Sequence, residues 1–234
     1  MVSDRLWSIS DYFSTNGSIY MSAKVYKNIV TKKEIKHILD WFWTPDDLVW
    51  DSEIAISKTV EGIYLQPESK KRLNTAYWPK SLLLDIVKRI NLNPASYDEI
   101  SFLHIKNKNY FGLHTDTGKG NQETLYKNIL IPLFFEEKAS TVIFKNRYYG
   151  GKTGNNFTKE MAESCDFYDP NAEIDSSIIE EHLYHINKDL LKGLTIDMIY
   201  EWKLGEVLTF DRQQVHTPGS NSRDKTTLSL FTNK

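Results

Sequence analysis

Cysteine is nearly absent from this sequence: Cys165 is the only one among 234 residues. A single thiol excludes an intrachain disulfide framework and a thiolate zinc site, and a lone cysteine is more often a small buried hydrophobe than a nucleophile. Long apolar runs are missing as well. No stretch approaches the ~18–20 residues a bilayer span needs, and no charged-then-apolar leader opens the sequence. A reducing, cytoplasmic setting without a membrane partner is therefore the expectation. Excess basic charge is also lacking. Twenty-nine Lys and Arg against 31 Asp and Glu leave a net charge of -2 and a pI near 6.3. No global positive field attracts nucleic acid, which is not an expected partner. Internal repeats and low-complexity tracts are absent too.

What remains is an ordinary globular mixture, 40% hydrophobic and 26% charged, which argues against disorder. The length suits one domain over 1–234, with a helix-bearing support region over 1–99 and a β core over 100–234. Residues 1–30 read as an irregular arm or edge strand. Thr31-Lys32-Lys33-Glu34 fits a capping box, and Ile35, Ile38, Leu39 and Phe42 follow at helical spacing until Pro45. Short β-like runs fill 48–66. Pro79 to Ile90 predicts a second helix with its apolar stripe on Leu82, Leu83, Ile86, Val87 and Ile90. Strands are predicted over Ile100–Ile105, Phe111–Thr115, Asn128–Phe135, Thr141–Arg147, Glu206–Asp211 and Thr226–Thr232. Between the fourth and fifth lies an insert over 150–200, with a helix from Ile178 to Leu191 and further structure at Leu194–Trp202. The class is α+β, mainly β, with a jelly-roll or barrel core.

His114 and Asp116, two apart on a strand, project from one face. With His216, far along the chain, they make two histidines and one carboxylate, the ligand set of non-haem Fe(II) oxygenases. The bland reading of each is a hydrogen-bonded turn residue. His37 and His104 have no partner at metal spacing. His182 and His185, three apart, read as a solvated helix face, since the Glu of a helical zinc motif is missing. Lys106, Lys108, Lys119, Lys127 and Lys145 read as a solvated face or a rim for an anionic substrate. Arg147-Tyr148-Tyr149 is expected at the metal end of the core, touching substrate or packing at an edge.

His114-x-Asp116, then Trp202-Lys203-x-Gly205-Glu206 leading to Phe210-Asp211, then His216, then Lys225-x-Thr227-Leu228-Ser229-Leu230 resembles the Fe(II)/2-oxoglutarate-dependent dioxygenase superfamily, over roughly residues 100–232. That resemblance implies a double-stranded β-helix (jelly roll, cupin-like) and Fe(II) on His114, Asp116 and His216. It also implies that 2-oxoglutarate and O2 are consumed, with succinate and CO2 released as a substrate carbon is hydroxylated. Related halogenases lack the carboxylate ligand, so Asp116 favours hydroxylation. The resemblance further implies a basic residue on the last strand for the far carboxylate of 2-oxoglutarate. Lys225 is preferred, with Thr227 beside it. Arg223 shares that face and offers a bidentate fork, but lies nearer the turn.

The substrate is expected to be a small or amino-acid-like molecule, with a peptide or nucleobase as alternatives. The competing class is a cupin that binds metal or ligand without oxygenase chemistry. The sequence leaves the oligomeric state open. The insert exceeds the usual ~4–6-residue connection, and Gly150, Gly151, Gly154, Phe157, Phe167 and Tyr168 suggest a lid closing over the site. The alternative is packing on the outside of the barrel.

Overall fold

The structure, a computed structural model, describes residues 22–43, 57–58, 64–65, 68–72, 80–106, 111–117, 123–151, 153, 157–219 and 225–234. In chain order these form β1 (Lys24–Tyr26), α1 (Lys32–Trp43), β2 (Ser57–Lys58), β3 (Tyr64–Leu65), β4 (Glu68–Arg72) and α2 (Lys80–Arg89). Then come β5 (Ser96–Lys106), β6 (Leu125–Phe135), β7 (Ser140–Arg147), α3 (Lys159–Glu163), α4 (Ser176–Ile178) and a π-helical turn (Ile179–Leu183). The chain closes with α5 (Lys188–Leu191), β8 (Ile196–Glu201), β9 (Val207–Asp211), β10 (Gln214–Pro218) and β11 (Lys225–Asn233).

A six-stranded sheet runs β1-β9-β6-β11-β5-β4 and faces a three-stranded sheet, β10-β7-β8. Strand alternation divides the side chains among the layers. On β6, Ile129, Ile131 and Leu133 point to the helices, where they meet Ile35 and Ile38 of α1 and Leu83, Ile86 and Val87 of α2. Leu130 points the other way, into the space between the sheets, with Leu208, Phe210, Ile143, Tyr200 and Trp202. β11 follows the same rule: Leu228 and Leu230 join the helical side. Lys225, Thr227 and Ser229 therefore take the inner face.

The expected support helices form where the pattern placed them. The capping box closes α1, because Thr31 and Glu34 exchange hydrogen bonds, and Arg89 at the end of α2 donates to Glu34 at 2.6 Å. Those bonds hold the Glu34 carboxyl down at about 2, with the Arg89 bond the largest cause. α2 stops at Asn91, which adopts φ 54° and turns the chain out of the helix. β1 is the expected edge strand, and beside it Ala23 N–H donates to Asp197 on β8 at 2.9 Å. The glycine of the Trp202-to-Gly205 turn is also required. It holds φ +87°, and a Cβ there would stand 2.9 Å from the Val30 carbonyl.

Much of the insert packs as in the alternative reading, on the outside of the barrel. Phe157, Ala162, Cys165, Leu183, Ile186, Leu191 and Leu194 pack on Val142, Phe144 and Val215, the outer face of the smaller sheet. It is a fourth layer, driven there by the apolar area that face would otherwise expose. The single helix predicted from Ile178 to Leu191 is broken into α4, the π turn and α5, with the Asn187 side chain capping α5. Leu183 has no exposed surface. Leu183→Ala is expected to cost about 2–5 kcal/mol, read as a lowered urea midpoint with an unchanged slope.

Candidate metal centre

His114 and His216 are paired across two antiparallel segments. His114 N–H donates to the His216 carbonyl at 3.0 Å, and His216 N–H to the His114 carbonyl at 2.9 Å. Direct cross-strand partners put their side chains on one face, and the rings stand 4.2 Å apart. Asp116, two residues on, returns to that face. Its Oδ2 lies 3.1 Å from His216 Nε2, and one ligand atom from each of the three side chains falls within 4.8 Å of the others. Two donors about 2.1 Å from one metal and at right angles stand about 3 Å apart, so this spacing fits coordination.

The tautomers fit too. His114 Nδ1 lies 2.9 Å from the Gly112 carbonyl and His216 Nδ1 lies 2.9 Å from the Gln214 carbonyl. Each Nδ1 therefore carries the proton and donates, which leaves both Nε2 lone pairs for a metal. The expected strand over Phe111–Thr115 reduces to the one bridge at His114, whereas His216 lies within β10 rather than in a turn. A long ladder is unnecessary because other bonds fix the stretch. Asp116 N–H donates to the Arg212 carbonyl at 2.9 Å, and Arg212 Nε returns a bond to the Asp116 carbonyl at 2.8 Å. On the other side Thr115 N–H donates to Thr153 Oγ1 at 2.9 Å.

Charge in this cluster is uneven. Burial, then the nearby His216, lowers His114 to about 4, so it stays neutral near pH 7. Burial would raise Asp116, but His216 and the hydrogen bonds to it hold the carboxyl at about 2. Burial also opposes charge on His216, yet Asp116 outweighs it and raises the imidazole above its ordinary 6.5. A proton on His216 competes with a metal. Metal affinity should thus fall by about tenfold per pH unit as pH drops below the raised His216 value, and level off above it. Equilibrium titrations of Co(II) over a series of pH values from acid to mildly alkaline would show this one-proton slope.

Lys225 lies deep between the sheets, 2% exposed, with its Nζ 5.6 Å from the centre of the Trp202 ring. Among the described residues no carboxylate stands within ion-pair distance of it. Burial alone pushes its ammonium down to about 8. His185, lowered to about 4 by burial and then by Lys225, is close enough to feel that charge. Thr227 is buried two residues along the same face. Arg223 lies outside the described residues.

Other expectations need correction. His182 and His185 are not a solvated face: His182 is buried against Ser140 Oγ at 3.2 Å, and His185 Nε2 lies 3.3 Å from Thr217 Oγ1. They turn inward because their segment packs on the sheet. Lys127 is not solvated either. It is buried, 2.5 Å from Asp211, whose other oxygen takes Arg147 at 2.9 Å. Arg147 is thus committed to an ion pair at the strand end. Lys145 is exposed, as expected, and His37 is a surface residue. Sequence reasoning missed Asn128 and Arg212, the two side chains bonded to Asp116. A polar residue opening the apolar run Ile129–Phe135 was the available signal for Asn128; nothing marked Arg212.

Neither a protein-family model nor a curated protein matches the sequence. Among solved structures, HygX from Streptomyces hygroscopicus with nickel and 2-oxoglutarate bound is similar over 91% of this chain and 82% of its own. The TM-score there is 0.51 at 11% identity. A second HygX structure, with nickel, 2-oxoglutarate and hygromycin B, gives 0.51 at 10% identity over 91% of this chain and 82% of that one. A Pseudomonas putida prolyl-4-hydroxylase covers 92% of its own chain and 91% of this one, with a TM-score of 0.48 at 7% identity. The fold is a double-stranded β-helix, shared with HygX, and the His-Asp-His cluster lies on it. No helix among the described residues is long and apolar enough to cross a membrane.

Proposed function

We propose that this protein is a non-haem Fe(II)- and 2-oxoglutarate-dependent dioxygenase that hydroxylates a small molecule. The observation that carries the reading is the pairing of two features on one inner surface. One is a converging His114–Asp116–His216 cluster, and the other is a buried ammonium, Lys225, with no carboxylate partner among the described residues. A desolvated, unpaired charge is costly, and an anionic ligand relieves that cost. A cupin that only binds metal has no need of it.

In this reading His114 Nε2, Asp116 Oδ2 and His216 Nε2 hold the iron, and Lys225 with Thr227 binds the far carboxylate of 2-oxoglutarate. Iron with 2-oxoglutarate supplies the oxidising power when bound. The chain's own residues orient and shield. The Gly112 and Gln214 carbonyls fix the imidazole tautomers, and Phe210, its ring 4.6 Å from that of His216, helps keep the wall beside the metal apolar. Trp202 and Phe135, in edge-to-face contact at 6.1 Å, close the Lys225 end against water. The hygromycin B held by HygX supports a small molecule as substrate.

The test is a screen of small molecules and peptides with Fe(II) and 2-oxoglutarate. Succinate should form in step with gain of one oxygen atom by a small molecule. Oxygen gain by peptides alone would move the substrate class, and no succinate under any condition would overturn the reading.

A further inference from the structure

Asn128 stands at the head of the apolar run Ile129–Phe135 of strand β6, with a polar side chain that is 2% exposed. Its register places it opposite Phe210 on β9, on the inner face that Leu130 shares. Its Nδ2 donates to Asp116 Oδ2, the same oxygen that faces His216 Nε2. The orientation of the amide is settled by that contact, since turning it over would set two acceptor oxygens against each other. The other end of the amide is unusual. Asn128 Oδ1 is buried and has no hydrogen-bond partner among the described residues.

A buried amide kept for packing has both ends satisfied, and an unmatched acceptor there is costly. One end of Asn128 is spent on Asp116, and the other is a buried acceptor with no partner among the described residues. We propose that Asn128 is a positioning residue of the metal centre. Its N–H fixes the rotation of the Asp116 carboxylate, so that Oδ2 meets the two imidazoles. Its Oδ1 stays open to a hydrogen-bond donor that arrives with the metal, a metal-bound water. This rests on the reading of His114, Asp116 and His216 as a metal site.

Asn128→Leu separates this role from a structural one, because leucine suits an apolar strand. The metal-free variant should melt at or above the wild-type temperature. Its Co(II) affinity should fall about 10–100-fold, the usual loss when a partner of a ligand is removed. The visible Co(II) spectrum should change as the carboxylate loses its fixed orientation. Asn128→Ser, which keeps a hydroxyl donor, should lose less, and it serves as the test should the leucine variant fail to fold. Wild-type Co(II) affinity and spectrum in a folded Asn128 variant would overturn the inference while leaving the metal site standing. Wild-type protein that takes up no more Co(II) than Asp116→Ala would overturn the metal reading and this inference with it.

Discussion

Replacing Asp116 with alanine is expected to remove metal binding and all turnover while leaving the fold intact. Four-ligand structural zinc sites bind with about 10–16 kcal/mol, so one ligand carries on the order of 2.5–4 kcal/mol. That is about two to three orders of magnitude in affinity. The fold should survive because the backbone bonds of this stretch do not use the carboxylate. The His114–His216 pair and the exchange between Asp116 and Arg212 run through main-chain atoms and the guanidinium. A second consequence separates this outcome from general damage. His216 is raised by Asp116, so in the variant it should titrate lower than in the metal-free wild type. An NMR titration of the His216 ring, with a melting curve, would check both. Undiminished metal affinity in a folded Asp116→Ala protein would contradict the assignment.

Lys225→Met is expected to move two quantities in opposite directions. Methionine has similar length without the charge, so the metal-free protein should be as stable as wild type or more so. Affinity for 2-oxoglutarate should fall by about 3–5 kcal/mol, because the carboxylate would be buried without a counter-charge. A purely structural lysine would show the reverse: lower stability and an unchanged KM for 2-oxoglutarate. An unchanged KM here, with a large rise in Arg223→Ala, would transfer the role to Arg223. At high pH the wild type should weaken as well. Burial holds the ammonium at about 8, and an anion bound beside it raises that value. The loss should therefore set in as pH climbs above about 8.

The metal cluster was legible because order along the chain, rather than any one residue, carried it. His114-x-Asp116 on one face, the glycine turn and His216 follow one another at fixed places. Period-two alternation also separated Lys225 and Thr227 from Leu228 and Leu230 correctly. Partners supplied by tertiary contact were not legible. In the sequence Asn128 is only the first residue of a predicted strand, and Arg212 has no assigned role. Both became part of the site only when β6 and the turn before β10 came beside Asp116. Where the insert packs was not legible for a related reason. Its apolar residues showed that the segment covers something, but composition does not say which surface. The outer face of β7 and β10 presents Val142, Phe144 and Val215, and that is what it covers. His182 and His185 were misjudged for the same cause, since a pair that looks solvated on a lone helix becomes buried when the helix packs.

The most direct measurement is a crystal structure of the protein grown with Mn(II) and 2-oxoglutarate in the absence of oxygen. The account predicts one metal bound by His114 Nε2, Asp116 Oδ2 and His216 Nε2, and the distal carboxylate of 2-oxoglutarate at the Lys225 ammonium. A metal held by other side chains, or 2-oxoglutarate bound away from both Lys225 and the metal, would contradict it.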